Sequence, residues 1–241
     1  LSTSLPLVAG EKQSSSPVMK DMISPMENTV YFLPNSDARQ SQIYFYIPMG
    51  DYNREENVRR EAFNQYISGG FSGLIMNEIR EKNSMAYTAY GFASSRGLPG
   101  AQTYFSGYIG TQNDKAVDAI DLYMKLLTDM PERPGRIDNI KSYLRQSALT
   151  DHPDSRNLSL RIAEWKRRGY TDDPAKEELP LIDSLTFPDI VDYYQKNIKG
   201  KPIIIGVLGN PKDISIDALK KFGKVIRLNE KKLFNEKDTM F

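Results

Sequence analysis

The sequence predicts an α+β domain, an antiparallel or mixed sheet with helices packed on one face. Three observations carry that prediction. Alternating apolar segments gather in the first half of the 241 residues, amphipathic helical patterns fill the middle, and an apolar run followed by a short helix and a last strand closes the chain. Residues 1–28 read as a linker or extended N-terminal segment, residues 29–229 as a single α+β domain, and residues 230–241 as a charged C-terminal tail. No internal repeat with a period of about 20 to 50 residues interrupts this.

In chain order, the first segment is rich in Ser, Pro, Glu and Lys around Ser14-Ser15-Ser16-Pro17, a linker composition. It starts with Leu and shows no charged and apolar leader pattern, which is expected of a processed product or a piece of a longer polypeptide. Thr29 to Leu33 and Gln42 to Met49 read as strands joined by the turn residues Pro34-Asn35-Ser36-Asp37, and are expected to form an antiparallel pair. From Glu55 to Ile67, Val58, Ala62, Phe63, Tyr66 and Ile67 share one helical face, and Gly69-Gly70 stops that helix. A short helix burying Leu74, Ile75 and Ile79 follows, then strands over Met85 to Ala93 and Ala101 to Ile109 around Gly97-Leu98-Pro99-Gly100. Helical stripes recur over Asp114 to Met130, Ile137 to Ala148 and Leu158 to Arg168, the last carrying Leu158, Ile162 and Trp165. Thr186-Phe187-Pro188-Asp189 caps a helix through Ile198. Pro202 to Leu208 reads as a strand buried on both faces, with a helix from Ile216 to Phe222 and a strand from Val225 to Leu228 after it.

Composition removes several function classes. Lys and Arg number 32 against 31 acidic residues, so the chain has no net field to attract nucleic acid. No apolar run approaches the roughly 18 residues of a membrane span. The absence of Cys excludes disulfides, thiolate metal ligands and thiol nucleophiles, and leaves the compartment open. His152 is the one histidine, in the turn sequence Asp151-His152-Pro153, and a lone imidazole completes neither a zinc site nor a serine nucleophile. The metal expectation for this chain is therefore none. The Gly-rich runs at Ser68 to Gly73 and Gly206 to Gly209 lack phosphate-cradle spacing.

The stretch from Gly69 to Gly91 combines more signals than any other. A glycine break, a helix ending in Arg80-Glu81-Lys82, a stop at Asn83-Ser84 and a strand starting at Tyr87 place Arg80 and Tyr87 on either side of one tight turn. Alternation puts Met85, Tyr87, Ala89, Gly91 and Ala93 on one strand face and Thr88, Tyr90 and Phe92 on the other. The small residues either leave room for an extended peptide or accommodate a closely packed helix, the commoner use. On the first of these, Ala89 and Gly91 would join Arg80 and Tyr87 as substrate-binding residues. Taken alone, Arg80 is also a favourable cation near a helix end and Tyr87 an ordinary strand aromatic.

The run Gly69-Gly70 to Gly73-Leu74, then Glu78-Ile79-Arg80-Glu81-Lys82, then Ala86-Tyr87-Thr88, resembles the C-terminal, non-zinc-binding half of an M16 family zinc peptidase of the pitrilysin and insulinase type. The likeness extends from Gln40-Ser41-Gln42 to the Pro202 to Leu208 strand, most of the chain after the linker. Its specific part is the Arg-to-Tyr spacing. Ala86 stands where the family often has Gly, and Ser72-Gly73-Leu74 where it often has Ser-Arg-Leu; both changes leave Arg80 and Tyr87 intact.

The resemblance implies two homologous halves. The catalytic half carries H-x-x-E-H, which binds zinc and activates water, and this chain has no such motif. The expectation is a non-catalytic, substrate-binding half with no cofactor of its own, zinc lying in the partner half, on the same polypeptide or a separate subunit. Peptides or unfolded chains are the implied substrates. By residue-level carry-over, Tyr87 would donate to the scissile carbonyl oxygen and Arg80 would hold a neighbouring substrate carbonyl. The alternative is a structural or assembly subunit with the same fold and no part in proteolysis.

Overall fold

The computed structural model describes residues 22–151 and 153–230; residues 1–21 of the expected linker, His152 and residues 231–241 of the expected tail lie outside the described residues. Two strands, β1 (Thr29–Pro34) and β2 (Gln40–Asp51), come first, then helix α1 (Asn57–Ser68). All five residues expected on the inner face of α1, Val58, Ala62, Phe63, Tyr66 and Ile67, are buried. A π-helical segment, Met76–Lys82, leads to the antiparallel pair β3 (Thr88–Ser94) and β4 (Gln102–Gln112). Helices α2 (Ala116–Thr128), α3 (Ile137–Thr150), α4 (Leu158–Arg167), α5 (Pro174–Ser184) and α6 (Phe187–Asn197) follow, and β5 (Ile204–Gly209), α7 (Ile216–Leu219) and β6 (Lys224–Arg227) complete the domain.

The strands form one mixed six-stranded sheet in the order β3-β4-β2-β5-β1-β6. β1 runs parallel to both β5 (Thr29 opposite Ile204) and β6 (Thr29 opposite Lys224), whereas β2 is antiparallel to β4 (Ile43 opposite Ile109) and β5 (Ile43 opposite Val207). The expected pairing of the first two strands is therefore corrected, because β5 lies between them. The turn after β1 is built around the end of β5: Asn35 N–H donates to the Gly209 carbonyl at 2.9 Å, and Asn210 Nδ2 to the Ser36 carbonyl at 3.2 Å.

One sheet face carries the core. Phe45 stacks on Tyr123 of α2 with ring centroids 4.0 Å apart, and Phe63 of α1 meets Phe105 edge-on at 6.4 Å. The opposite face carries aromatic side chains, with Tyr44 against Tyr108 at 5.1 Å and Tyr90 against Tyr108 at 5.4 Å. β5 is consequently buried on one face only: Ile205 and Val207 point into the core, and Ile204 and Leu208 are half-buried on the other side. The sequence stripe on α4 also departs from expectation. None of its residues is buried, and Leu158 and Ile162 stay exposed.

Two helix starts obey local chemistry. At α6, Thr186 and Asp189 form a reciprocal capping box, with Thr186 N–H donating to Asp189 Oδ2 at 2.9 Å. At α5, Asp173 accepts from Ala175 N–H at 2.9 Å and Pro174 occupies the first turn, where its missing N–H costs nothing. That helix has no counterpart in the sequence expectation, and it holds Pro180 in its interior.

Candidate functional site

Arg80 and Tyr87 line the same open cleft, of about 340 Å³, together with Glu81, Ser84, Met85, Thr111, Gln112 and Lys115. The turn between them brings this about. The π-helical segment ends at Lys82, and Ser84 takes a left-handed backbone with φ 50°. That conformation lets Ser84 N–H donate to the Arg80 carbonyl and Met85 N–H to the Ile79 carbonyl, both at 2.9 Å, while Asn83 Nδ2 donates to the Glu78 carbonyl at 2.7 Å. The last carbonyls of the helix are thereby satisfied within one turn, and the chain reverses straight into β3. Tyr87 N–H then donates to the Gly110 carbonyl at 2.9 Å, fixing the tyrosine at the sheet edge just before the strand proper.

The segment is anchored from beneath. Ile79 is fully buried, and Glu78 accepts from Lys82 Nζ at 2.9 Å and is ion-paired with Arg133. Burial alone would raise the Glu78 pKa, yet the hydrogen bond from Lys82 and the charge of Arg133 outweigh it and hold the carboxyl below its usual range. Arg80 itself projects outward, its nearest acidic partner being Glu81 at 3.6 Å, an exposed pair of small energetic weight. Tyr87 is 52% exposed, and its hydroxyl oxygen accepts a hydrogen bond from Gln112 Nε2 at 3.1 Å. Across the cleft, Lys115 Nζ donates to the Ser84 carbonyl at 3.3 Å. Two cations and a phenol thus flank one opening, a set suited to polarising carbonyl oxygens or holding a peptide backbone.

Ala89 and Gly91 are placed differently from Arg80 and Tyr87. Ala89 is 1% exposed and Gly91 is buried, both facing the helical layer, while Thr88, Tyr90 and Phe92 face outward. Of the two uses open to the small face of β3, close packing is the one realised: its small residues lie under the helices. A Cβ at Gly91 would lie 2.4 Å from the Tyr123 hydroxyl oxygen and 2.5 Å from Phe105 Cζ, so only glycine fits. Tyr123 uses the space to donate to the Tyr90 carbonyl at 2.9 Å. The side-chain positions of Ala89 and Gly91 are closed to a substrate. The N–H groups of Gly91 and Ala93 are also engaged, by Ser68 Oγ at 2.8 Å and Asn64 Oδ1 at 2.7 Å from α1.

Gln112 and Lys115 escaped the sequence reading because they come from the far end of β4 and the turn just after it, and only the antiparallel pairing of β3 with β4 brings them beside Tyr87. As for a metal, the sequence offers one histidine and no cysteine, and no group of three or more His, Cys, Asp or Glu side chains converges among the described residues. The donor set does not fit a catalytic zinc. No helix among the described residues is long and apolar enough to cross a membrane.

Residues 12–134 match the family model described as the peptidase M16 inactive domain. Solved structures share the fold at low identity. A peptidase M16 inactive domain from Pseudomonas fluorescens superposes with a TM-score of 0.63 at 15% identity, over 80% of this chain and 46% of that one. A chain of Complex III2 from Candida albicans gives 0.59 at 13% identity, over 80% of this chain and 48% of that one. The ferredoxin protease FusC, solved with Arabidopsis ferredoxin, gives 0.58 at 11% identity, over 76% of this chain and 20% of that one. The chain thus spans less than half the length of each of these structures, and no curated protein sequence matches it.

Proposed function

Since the chain belongs to the peptidase M16 family and carries its inactive domain, we propose that it is the substrate-binding half of a zinc-dependent M16-type peptidase. In this reading it closes over a separate half bearing H-x-x-E-H, and Arg80 and Tyr87 complete the peptide-cleavage site. The observation that carries the reading is the cleft itself: a left-handed turn at Ser84 brings Arg80 and Tyr87 to one opening, with both side chains exposed and the turn anchored by buried Ile79. The partner half supplies the metal ion and the activated water.

Within this chain, Tyr87 donates its hydroxyl to the scissile carbonyl oxygen as negative charge develops there, and Arg80 holds a neighbouring carbonyl of the substrate backbone. The turn at Ser84 brings both residues to the cleft before substrate arrives, so less reorganisation is left for the reaction step. Peptides or unfolded proteins are the substrate class, in keeping with a fold neighbour that was solved with a protein, ferredoxin. Mixing the chain with an M16 half that bears H-x-x-E-H from the same organism tests the proposal. Cleavage is expected from the mixture and from neither part alone; zinc-dependent hydrolysis by this chain alone would overturn it.

A structural or assembly subunit is the second reading, favoured by the fold neighbour within Complex III2. There Arg80 and Tyr87 carry no catalytic weight, and substituting either leaves cleavage by the assembly unchanged.

A further inference from the structure

A phenol that is to donate its proton to substrate must not spend that proton inside the protein, and the structure shows what prevents this. The Tyr87 hydroxyl has one proton and two lone pairs. Gln112 Nε2 donates to one lone pair at 3.1 Å, and among the described residues the hydroxyl makes no second hydrogen bond. With Gln112 acting as donor, the hydroxyl's own proton is left for another acceptor in the cleft that both side chains line. We infer that Gln112 is a positioning residue for Tyr87, setting its hydroxyl as a donor toward a substrate carbonyl; this rests on the peptidase reading above.

Gln112 is exposed, and what makes it a fixed partner is its neighbours in sequence. Thr111, 1% exposed, donates through Oγ1 to the Met85 carbonyl, tying β4 to the residue two before Tyr87. Asn113, also buried, accepts from Ser41 Oγ at 2.7 Å and from Asn210 N–H at 3.2 Å, and donates to the Ala38 carbonyl at 2.8 Å. It joins the end of β4 to β2, to the turn after β1 and to the end of β5. Gly209 leaves the room for this, since a Cβ there would lie 2.6 Å from Ser41 Oγ and 3.1 Å from Asn113 Oδ1. A polar cluster satisfied on several sides holds its backbone in one place. Gln112 sits between its two anchored members, so the donor that faces Tyr87 stands on backbone fixed on both sides.

The experiment is a mutant cycle in the reconstituted two-half enzyme, read as kcat and KM on a peptide substrate. Gln112→Leu is expected to lower kcat about 3- to 10-fold, the scale of one neutral hydrogen bond, with KM changed less than about 2-fold. Gln112→Glu is expected to be worse than Gln112→Leu, because an ionised carboxylate accepts only and takes the Tyr87 proton for itself. In a Tyr87→Phe background, Gln112→Leu is expected to change nothing further. Equal losses from Gln112→Leu with and without Tyr87, or a Gln112→Glu enzyme more active than Gln112→Leu, would overturn the positioning role while leaving the peptidase reading intact. A Tyr87→Phe enzyme with unchanged kcat would overturn both.

Discussion

Gly91→Ala separates the two ways in which the small residues of β3 could be used. If that face were open to a peptide, a methyl group there would be thermally silent. The added Cβ instead lies 2.4 Å from the Tyr123 hydroxyl oxygen, 2.5 Å from Phe105 Cζ and 3.0 Å from Ile75 Cδ1, and all three of those side chains are fully buried. Forcing such a contact costs roughly 1–3 kcal/mol. Moving the Tyr123 ring also breaks its 2.9 Å bond to the Tyr90 carbonyl, about 1 kcal/mol more. The sum, roughly 2–4 kcal/mol, lowers the melting temperature by on the order of 10 °C at about 2–4 °C per kcal/mol for a chain of this size. Circular dichroism melts of wild type and Gly91→Ala measure it. Gly206→Ala is the control, because its Cβ meets only Tyr44 Cβ at 3.8 Å, and its melt is expected to stay within a degree or two of wild type. An unchanged melt for Gly91→Ala would refute the packing argument.

Two further predictions concern what holds the cleft. Glu78→Gln removes the negative charge paired with Lys82 and Arg133; because the folded carboxyl titrates below its unfolded value, its stabilisation is present above about pH 4 and lost as pH falls through the folded value. Urea denaturation should show the variant less stable by about 1 kcal/mol at pH 7, the gap closing between roughly pH 5 and 3; a gap that widens in acid would contradict the assignment. Asn113→Leu strands Ser41 Oγ, the Ala38 carbonyl and Asn210 N–H, and should cost about 2–4 kcal/mol by the urea midpoint with an unchanged slope, whereas a loss below about 0.5 kcal/mol would mean the network does not hold β4.

Much of the fold was legible because it rests on local chemistry. The α1 stripe, the Thr186 and Asp189 capping box and the glycine stop at Gly69-Gly70 are each set by residues within one or two helical turns. The same holds for the Arg80 to Tyr87 turn, where Asn83-Ser84 marks the helix stop correctly. The π-helical winding of Met76–Lys82 was not legible, since nothing in side-chain type distinguishes it from an ordinary turn of helix. Strand order failed for a different reason. A short turn between two apolar runs predicts a hairpin, and only the nonlocal pairing of β1 with β5 decides against it. The use of the small face of β3 stayed open in the sequence because alternation tells which residues share a face, not which face meets the helices. Gln112 and Lys115 lie on a neighbouring strand and the turn after it, so no spacing in the chain connects them to Tyr87.

The central claim is that Tyr87 acts on the substrate of a site it completes. Its most direct test is kcat of the reconstituted two-half enzyme with Tyr87→Phe, after a melt and a binding assay show that the variant folds and still associates. Loss of the phenolic donor should lower kcat on the order of 100- to 1000-fold. A kcat within about 2-fold of wild type would contradict the account and leave the domain a structural subunit of its assembly.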